Sequence, residues 1–316
     1  MKRKYLFFTL LIISISIVIF VIVRAKIPST VTISTIPKAY NCVSLIDEDD
    51  LFNVDIFADT KKSFIGEAEN IAEAYITNEE GEYLKLKIKG IKLSSDRIII
   101  SGKSYFLYSF IFKIDFNPIT EFTFEITSAL LTINYRNGVA IQINIGSFSY
   151  YKFASFSSDF LSVSKLKGLV NEIEGHKTLA AVEIGLSNDT DFDIIITSII
   201  PLDLNVVFST SDLVISTDLK YRPDDEIESL LGYPYQFRPP IPSNFTYRLD
   251  AGAKVSFLIP LKYYRLIHLN KLGFIIKYTV GGDANQLIYD DFTFFNTKEL
   301  SNKTLKELVL YTYENH

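Results

Sequence analysis

Two copies of the spacing Ser-x-x-Lys stand close together, Ser149-Tyr150-Tyr151-Lys152 and Ser162-Val163-Ser164-Lys165. A lysine at that distance from a serine can serve as its base in acyl transfer, but that chemistry also needs a Lys-Thr-Gly or Ser-Asp-Asn partner. Neither tripeptide occurs, so both matches are coincidences of a serine-rich stretch. Gly102-Lys103-Ser104 has the ending of a phosphate-binding loop, yet Arg97 stands where the motif requires glycine, and strand residues follow where it requires a helix. No Gly-x-Ser-x-Gly and no Gly-x-Gly-x-x-Gly is present.

Carboxylates cluster at Asp47-Glu48-Asp49-Asp50 and at Asp224, Asp225, Glu226 and Glu228. Paired carboxylates could act as acid and base on a glycoside, but no tryptophan is available as a sugar platform. Asp189, Asp191 and Asp193 alternate as calcium ligands can, although Ile194 occupies the position where an EF-hand loop needs glycine. His176, His268 and His316 are isolated from one another, and Cys42 is the only cysteine, so no zinc spacing and no intrachain disulfide is available. These patterns point to no cofactor, no metal and no catalytic residue.

The segment Leu230-Leu-Gly-Tyr-Pro-Tyr-Gln-Phe-Arg-Pro-Pro-Ile-Pro242 offers a different chemistry, that of recognition. Tyr233, Tyr235, Phe237 and Arg238 are the residue types that anchor interfaces, and the surrounding prolines reduce the entropy lost on binding. These four are the candidate partner-binding residues. The alternative is that the aromatics fold back over an open end of the domain.

The elements that must carry such a loop read as β. Leu84-Lys85-Leu86-Lys87-Ile88-Lys89, Phe122–Ile126 and Val139–Ile145 alternate with period two, the mark of strands with one face in a core. The lysine row reads as a solvated or edge-protecting face. Asn137-Gly138 between two alternating runs is a strong hairpin signal, because both residues tolerate positive φ. Phe160, Val163, Leu166, Val170 and Ile173 instead fall at helical spacing, which predicts a short connecting helix near 159–174 capped by Ser158 or Asp159.

Residues 5–23 carry no charge, proline or glycine and would span roughly 28 Å as a helix, close to a bilayer's hydrocarbon thickness. Lys2, Arg3 and Lys4 before the segment outweigh Arg24 and Lys26 after it, which predicts a cytoplasmic N-terminus and an extracytoplasmic body. Beyond residue 26 the chain has 27 basic and 37 acidic side chains, a balance that disfavours nucleic acid.

The expected organisation is therefore a transmembrane anchor (1–26), a stalk (27–42), a first β-sandwich (43–146), a Ser-rich linker with the short helix (147–178), a second β-sandwich (179–297) and a helical C-terminal tail (298–316). The expected fold class is all-β, an N-terminal transmembrane helix followed by two immunoglobulin-like or fibronectin-like sandwiches.

An internal echo links the two sandwiches. Glu121–Leu130 and Asp191–Ile200 match in pattern, each ends in or passes through Ile-Thr-Ser, and each follows an asparagine, Asn117 or Asn188. This pattern of an Asn-initiated turn feeding a strand that bears a buried aromatic resembles the late embryogenesis abundant type 2 domain, also called the water-stress and hypersensitive-response domain. Asn117-Pro118 follows that family's Asn-Pro turn, and Asn188-Asp189 departs from it. The resemblance implies a sandwich, often behind a membrane anchor, with no catalytic residues. Leu249-Asp250-Ala251-Gly252-Ala253 is similar to the turn before a late strand in fibronectin-like modules.

The resulting expectation is a non-catalytic, membrane-anchored surface protein with a binding or structural role, one that binds a protein partner or forms an accessory part of a cell-envelope or membrane complex, with residues 5–23 in the lipid bilayer. The competing expectation is a membrane-tethered hydrolase whose site is assembled from residues distant in sequence.

Overall fold

The computed structural model describes residues 13–16 and 30–314, apart from 47, 62–63, 79, 101, 117–118, 155–158, 174–175, 205, 209–212, 218–244, 264–267, 270 and 294–309. The N-terminal half contains β1 (Thr30–Ser34), β2 (Lys38–Leu45), β3 (Leu51–Ala58), β4 (Ile71–Thr77), β5 (Tyr83–Ile100), β6 (Lys103–Ile114), β7 (Phe122–Tyr135) and β8 (Ala140–Phe153). The C-terminal half continues with β9 (Leu161–Ile173), β10 (His176–Asn188), β11 (Ile194–Pro201), β12 (Val206–Val207), β13 (Val214–Ser216), β14 (Tyr247–Leu249) and β15 (Lys254–Pro260). It ends with β16 (Lys262–Tyr263), β17 (His268–Leu269), β18 (Lys271–Val280), β19 (Asp283–Thr293) and β20 (Tyr311–Glu314). The chain is all-β, as the period-two runs predict.

In the N-terminal half one sheet runs in the order β17-β2-β8-β7-β4-β5-β6-β3-β1-β20. Strands far apart in that order nevertheless share one core. Phe52 of β3 has its ring 5.1 Å from Phe148 of β8 and 6.2 Å from Tyr40 of β2, so the sheet rolls until its two ends face each other. The inward positions Leu84, Leu86, Phe110, Phe112, Ile133, Ile141 and Ile143 fill the space between, and Lys85, Lys87 and Lys89 point to solvent. Burying each large apolar side chain contributes about 1.5–3 kcal/mol. The Asn137-Gly138 turn joins β7 to β8 with Gly138 at φ 89°, and Tyr135 both donates to Val139 and accepts from Gly138 through its backbone.

The C-terminal half packs sheet β13-β15-β10-β9 against sheet β14-β11-β18-β19. Ile184, Leu186, Phe257 and Ile259 of the first sheet meet Ile194, Ile196, Phe274 and Ile276 of the second in a separate core. The halves are joined along β2, whose Tyr40 and Cys42 face the first core while Ala39 packs into the second. Val43 of the same strand packs with Tyr151, Leu202 and Ile288, and β17 adds a parallel ladder at His268↔Lys38 and Leu269↔Ala39.

Three expectations need correction. The segment expected as a connecting helix is strand β9. Val163 pairs with Leu186 and Lys165 with Gly185, so Ser164 is an extra, bulged residue that puts three positions between the inward Val163 and Leu166 and imitates helical spacing. The expected stalk, 27–42, holds β1 and most of β2, whose Val31, Ile33 and Tyr40 are core residues. Within the tail expected to be helical, Tyr311–Glu314 form β20. Residues 5–23 lie outside the described residues except for Ile13–Ser16, which are helical, and among the described residues no helix is long and apolar enough to cross a membrane.

Candidate functional site

The motifs that stood apart in the sequence, Asn188-Asp189 and Leu249–Ala253, meet at one tip of the C-terminal half. The Asn188 N–H donates to the Ala253 carbonyl at 2.9 Å, and the Gly252 N–H donates to that of Thr190 at 3.0 Å. The buried Asn188 side chain is the hub. Its amide nitrogen donates to the carbonyls of Phe192 (2.6 Å), Leu249 (3.2 Å) and Asp250 (3.0 Å). Its amide oxygen accepts from the Thr190 N–H and hydroxyl, at 3.1 and 2.8 Å. Asparagine suits this place because one short side chain supplies both donors and acceptors to neighbouring backbone.

Asp189 closes the base of the turn, accepting from the hydroxyls of Ser187 and Ser162. The bond from Ser162, then that from Ser187, hold its carboxyl below the usual carboxylate range. Asp193 immediately precedes β11 and accepts from the Ala251 N–H at 3.1 Å and from the Arg248 guanidinium. Arg248 also reaches Asp250, with Nε 3.3 Å from Oδ1.

This bonding holds two side chains outward. Phe192 is 66% exposed although the backbone on both sides of it is hydrogen-bonded, and the Arg248 side chain is 69% exposed between its two aspartates. An aromatic ring and a guanidinium on a rigid, hydrogen-bonded turn are the combination that anchors interfaces, because little conformational freedom is lost on binding. Two of the alternating aspartates are engaged within the protein: Asp189 accepts from serine hydroxyls, and Asp193 from an arginine and a backbone N–H. Among the described residues no group of three His, Cys, Asp or Glu is placed to hold a metal ion.

The two Ser-x-x-Lys lysines are both buried, and each meets a carboxylate rather than its motif serine. Lys152 lies 2.9 Å from Asp50 Oδ2 and donates to the carbonyls of Leu45 and Glu48 at 2.7 and 2.6 Å, pinning the loop between β2 and β3. Lys165 donates to Glu183 Oε1 at 2.9 Å, which also accepts from Ser256 at 2.9 Å. Gly185 leaves room for that pair, since a Cβ there would come within 2.7 Å of the Lys165 Cβ.

Tyr233, Tyr235, Phe237 and Arg238 lie outside the described residues. Phe192 belongs to the echo, where a buried aromatic is expected, and it is instead exposed because it precedes β11 in the turn; Arg248 carried no signal of its own in the sequence. Asn188 did, as part of the echo, and what it positions follows from a contact across some sixty residues that no local pattern contains.

No family model matches the chain, and no curated protein matches it. Among solved structures, the C-terminal domain of the AgI/II polypeptide BspA from Streptococcus agalactiae aligns at 10% identity over 83% of this chain and 99% of that one, with a TM-score of 0.18. The C-terminal domain of the antigen I/II-family protein AspA from Streptococcus pyogenes aligns at 7% identity over 82% and 98%, with a TM-score of 0.19. Likenesses of this size carry neither fold nor function, which rest on the chain's own strands and side chains. Those define an all-β protein with two cores and a rigid polar tip.

Proposed function

We propose that this chain is a non-catalytic surface protein, anchored in the bilayer by residues 5–23 with its body outside the cytoplasm, that binds a protein partner. The observation that carries the reading is the tip at Asn188, which holds Phe192 and Arg248 toward solvent on a preorganised turn. Two cores joined along β2 give that tip a rigid base. The buried lysines support the non-catalytic part, since Lys152 and Lys165 are engaged by carboxylates that hold loops and strands together. Tyr233, Tyr235, Phe237 and Arg238 are proposed as a second recognition element.

The test compares partner recovery by the intact, detergent-extracted chain with recovery by the Phe192→Ala/Arg248→Ala variant after crosslinking on cells. Loss of an interface anchor of about 2 kcal/mol lowers recovery more than tenfold. The unfolding midpoint should stay nearly constant, because exposed side chains and exposed ion pairs contribute about 0–1 kcal/mol. Unchanged recovery with this variant, and with all four loop residues replaced as well, would overturn the reading.

A further inference from the structure

A strand at the edge of a sheet presents N–H and C=O groups that require a partner. β8 has β7 on one side along its length, but β2 covers its other side only from Gly146 onward, where the ladder begins at Lys38↔Gly146. The preceding stretch of β8 is met by side chains. The Tyr313 hydroxyl donates to the Gln142 carbonyl at 2.8 Å and accepts from the Gln142 N–H at 3.1 Å. The Tyr311 hydroxyl accepts from the Asn144 N–H at 3.5 Å.

Both tyrosines belong to β20, which pairs antiparallel with β1 from Thr30↔Glu314 to Ile33↔Tyr311. Their rings pack against the core of the N-terminal half. The chain leaves β1 at the Thr35–Pro37 corner to start β2, and β20 closes the gap this corner opens between β1 and β8. A four-residue strand from the far end of the chain thus completes the half that begins it.

We propose that β20 is an exchangeable strand, and that the groove between β1 and the Gln142–Asn144 edge of β8 takes β20 from a second copy of this chain. The chemistry of the groove fixes its occupant. The groove requires an extended segment with tyrosines two positions apart, whose hydroxyls reach a strand edge, and Tyr311-Thr312-Tyr313 is such a segment. Exchange keeps every one of these contacts, so cis and trans forms differ only in the effective concentration of the strand. Seventeen residues separate β19 from β20, enough to reach up to about 60 Å if extended, so the strand is not confined to its own groove. Docking of β20 on the folded body closes only this seventeen-residue connection, which sets an effective concentration for the cis strand on the order of millimolar, so exchange with a neighbouring copy is favoured where chains fold together at high concentration.

Thr32 and Thr312 are directly paired across this ladder, and Thr312 is exposed. The experiment mixes full-length Thr32→Cys chain with size-tagged, full-length Thr312→Cys chain in detergent, refolds them together at high concentration and then oxidises them. Cys42 is buried in both. The expected product is a disulfide-linked heterodimer of the two variants in excess over either homodimer, lost when Tyr311→Ala and Tyr313→Ala are added to the Thr312→Cys chain. The doubly substituted Thr32→Cys/Thr312→Cys chain is the control for geometry. Closure of that chain within monomers, with no heterodimer from the mixture, would show the strand confined to cis and overturn the proposal. Homodimers equal in yield to the heterodimer would overturn it too, as would failure of both crosslinks.

Discussion

The ammonium of Lys152 and the carboxylate of Asp50 lie 2.9 Å apart with both side chains buried, 1% and 7% exposed. Asp50 Oδ2 also accepts from the Tyr150 hydroxyl at 2.8 Å, and the remaining donors of Lys152 meet two backbone carbonyls. All three donors of Lys152 and the Oδ2 of Asp50 are therefore engaged, and such pairing and hydrogen bonding is the condition under which a buried charge is tolerated. Lys152→Met leaves Asp50 charged and uncompensated and should cost about 3–5 kcal/mol in denaturant unfolding. Lys152→Met combined with Asp50→Asn should recover part of that loss, and additive losses would mean that the two groups do not act as a pair.

Gly146 marks the point where β8 passes from the tyrosine-capped edge to the β2 ladder. Its φ is 109°, and a Cβ there would lie 2.1 Å from the Lys38 carbonyl oxygen, a backbone atom that cannot step aside without moving β2. Gly146→Ala should destabilise by about 2–4 kcal/mol through strain and a displaced ladder. Gly81→Ala, where φ is also positive but nothing lies within 4 Å, should cost about 1 kcal/mol. Equal losses at the two sites would show that β2 does not hug β8 as described.

Much of this architecture was legible because alternation reports directly on a two-sided sheet. Leu84 and Leu86 face the core and Lys85 and Lys87 face water as their order implies. At the start of β5 the row is a solvated outer face, since Leu86 pairs with Ala74 of β4 on one side and Ile114 of β6 on the other, while the register with β4 ends before Lys87. What stayed hidden depends on pairing across the chain. Asp50 belongs to an acidic run that reads only as a cluster of carboxylates until Lys152 is brought to it. Val163 and Leu166 look like one helical face because the bulge at Ser164 changes their spacing. The parallel pairing of β2 with β8, and the return of Tyr311 and Tyr313 to the first half, are long-range choices with no local signature.

Tyrosine burial predicts the alkaline limit of stability. Burial raises the hydroxyls of Tyr40 and Tyr135 above their ordinary value of 10.0. Burial does the same for Tyr150 and Tyr151, with Asp50 and Glu125 adding to it. The unfolded chain gives up these protons first, so stability is present below about pH 10 and declines as pH rises above it. Phenolate absorbance of the buried set should appear together with loss of the β signal in circular dichroism. Smooth ionisation of all tyrosines in a still-folded protein would contradict their burial. Asp189 works in the opposite direction: its carboxyl is held low, so the stability it adds at neutral pH is lost as pH falls through the ordinary carboxylate range toward its folded value.

Cys42 bears on the proposed orientation in a way that its position in the sequence does not suggest. It is the only cysteine and is 8% exposed, facing the first core beside Tyr150, so the folded wild-type chain should resist a membrane-impermeant thiol reagent on intact cells and react after unfolding. Resistance of the wild-type chain therefore does not report on the side of the membrane. Thr120 does: it is exposed in the turn between β6 and β7, beside an Ile119 that is almost wholly solvent-exposed. Thr120→Cys should be labelled on intact cells without lysis if residues 5–23 anchor the chain with its body outside. The same variant should show an unchanged unfolding midpoint, since an exposed turn residue contributes within about 0.5 kcal/mol. Labelling of Thr120→Cys only after lysis would place the body in the cytoplasm and remove the surface role with it.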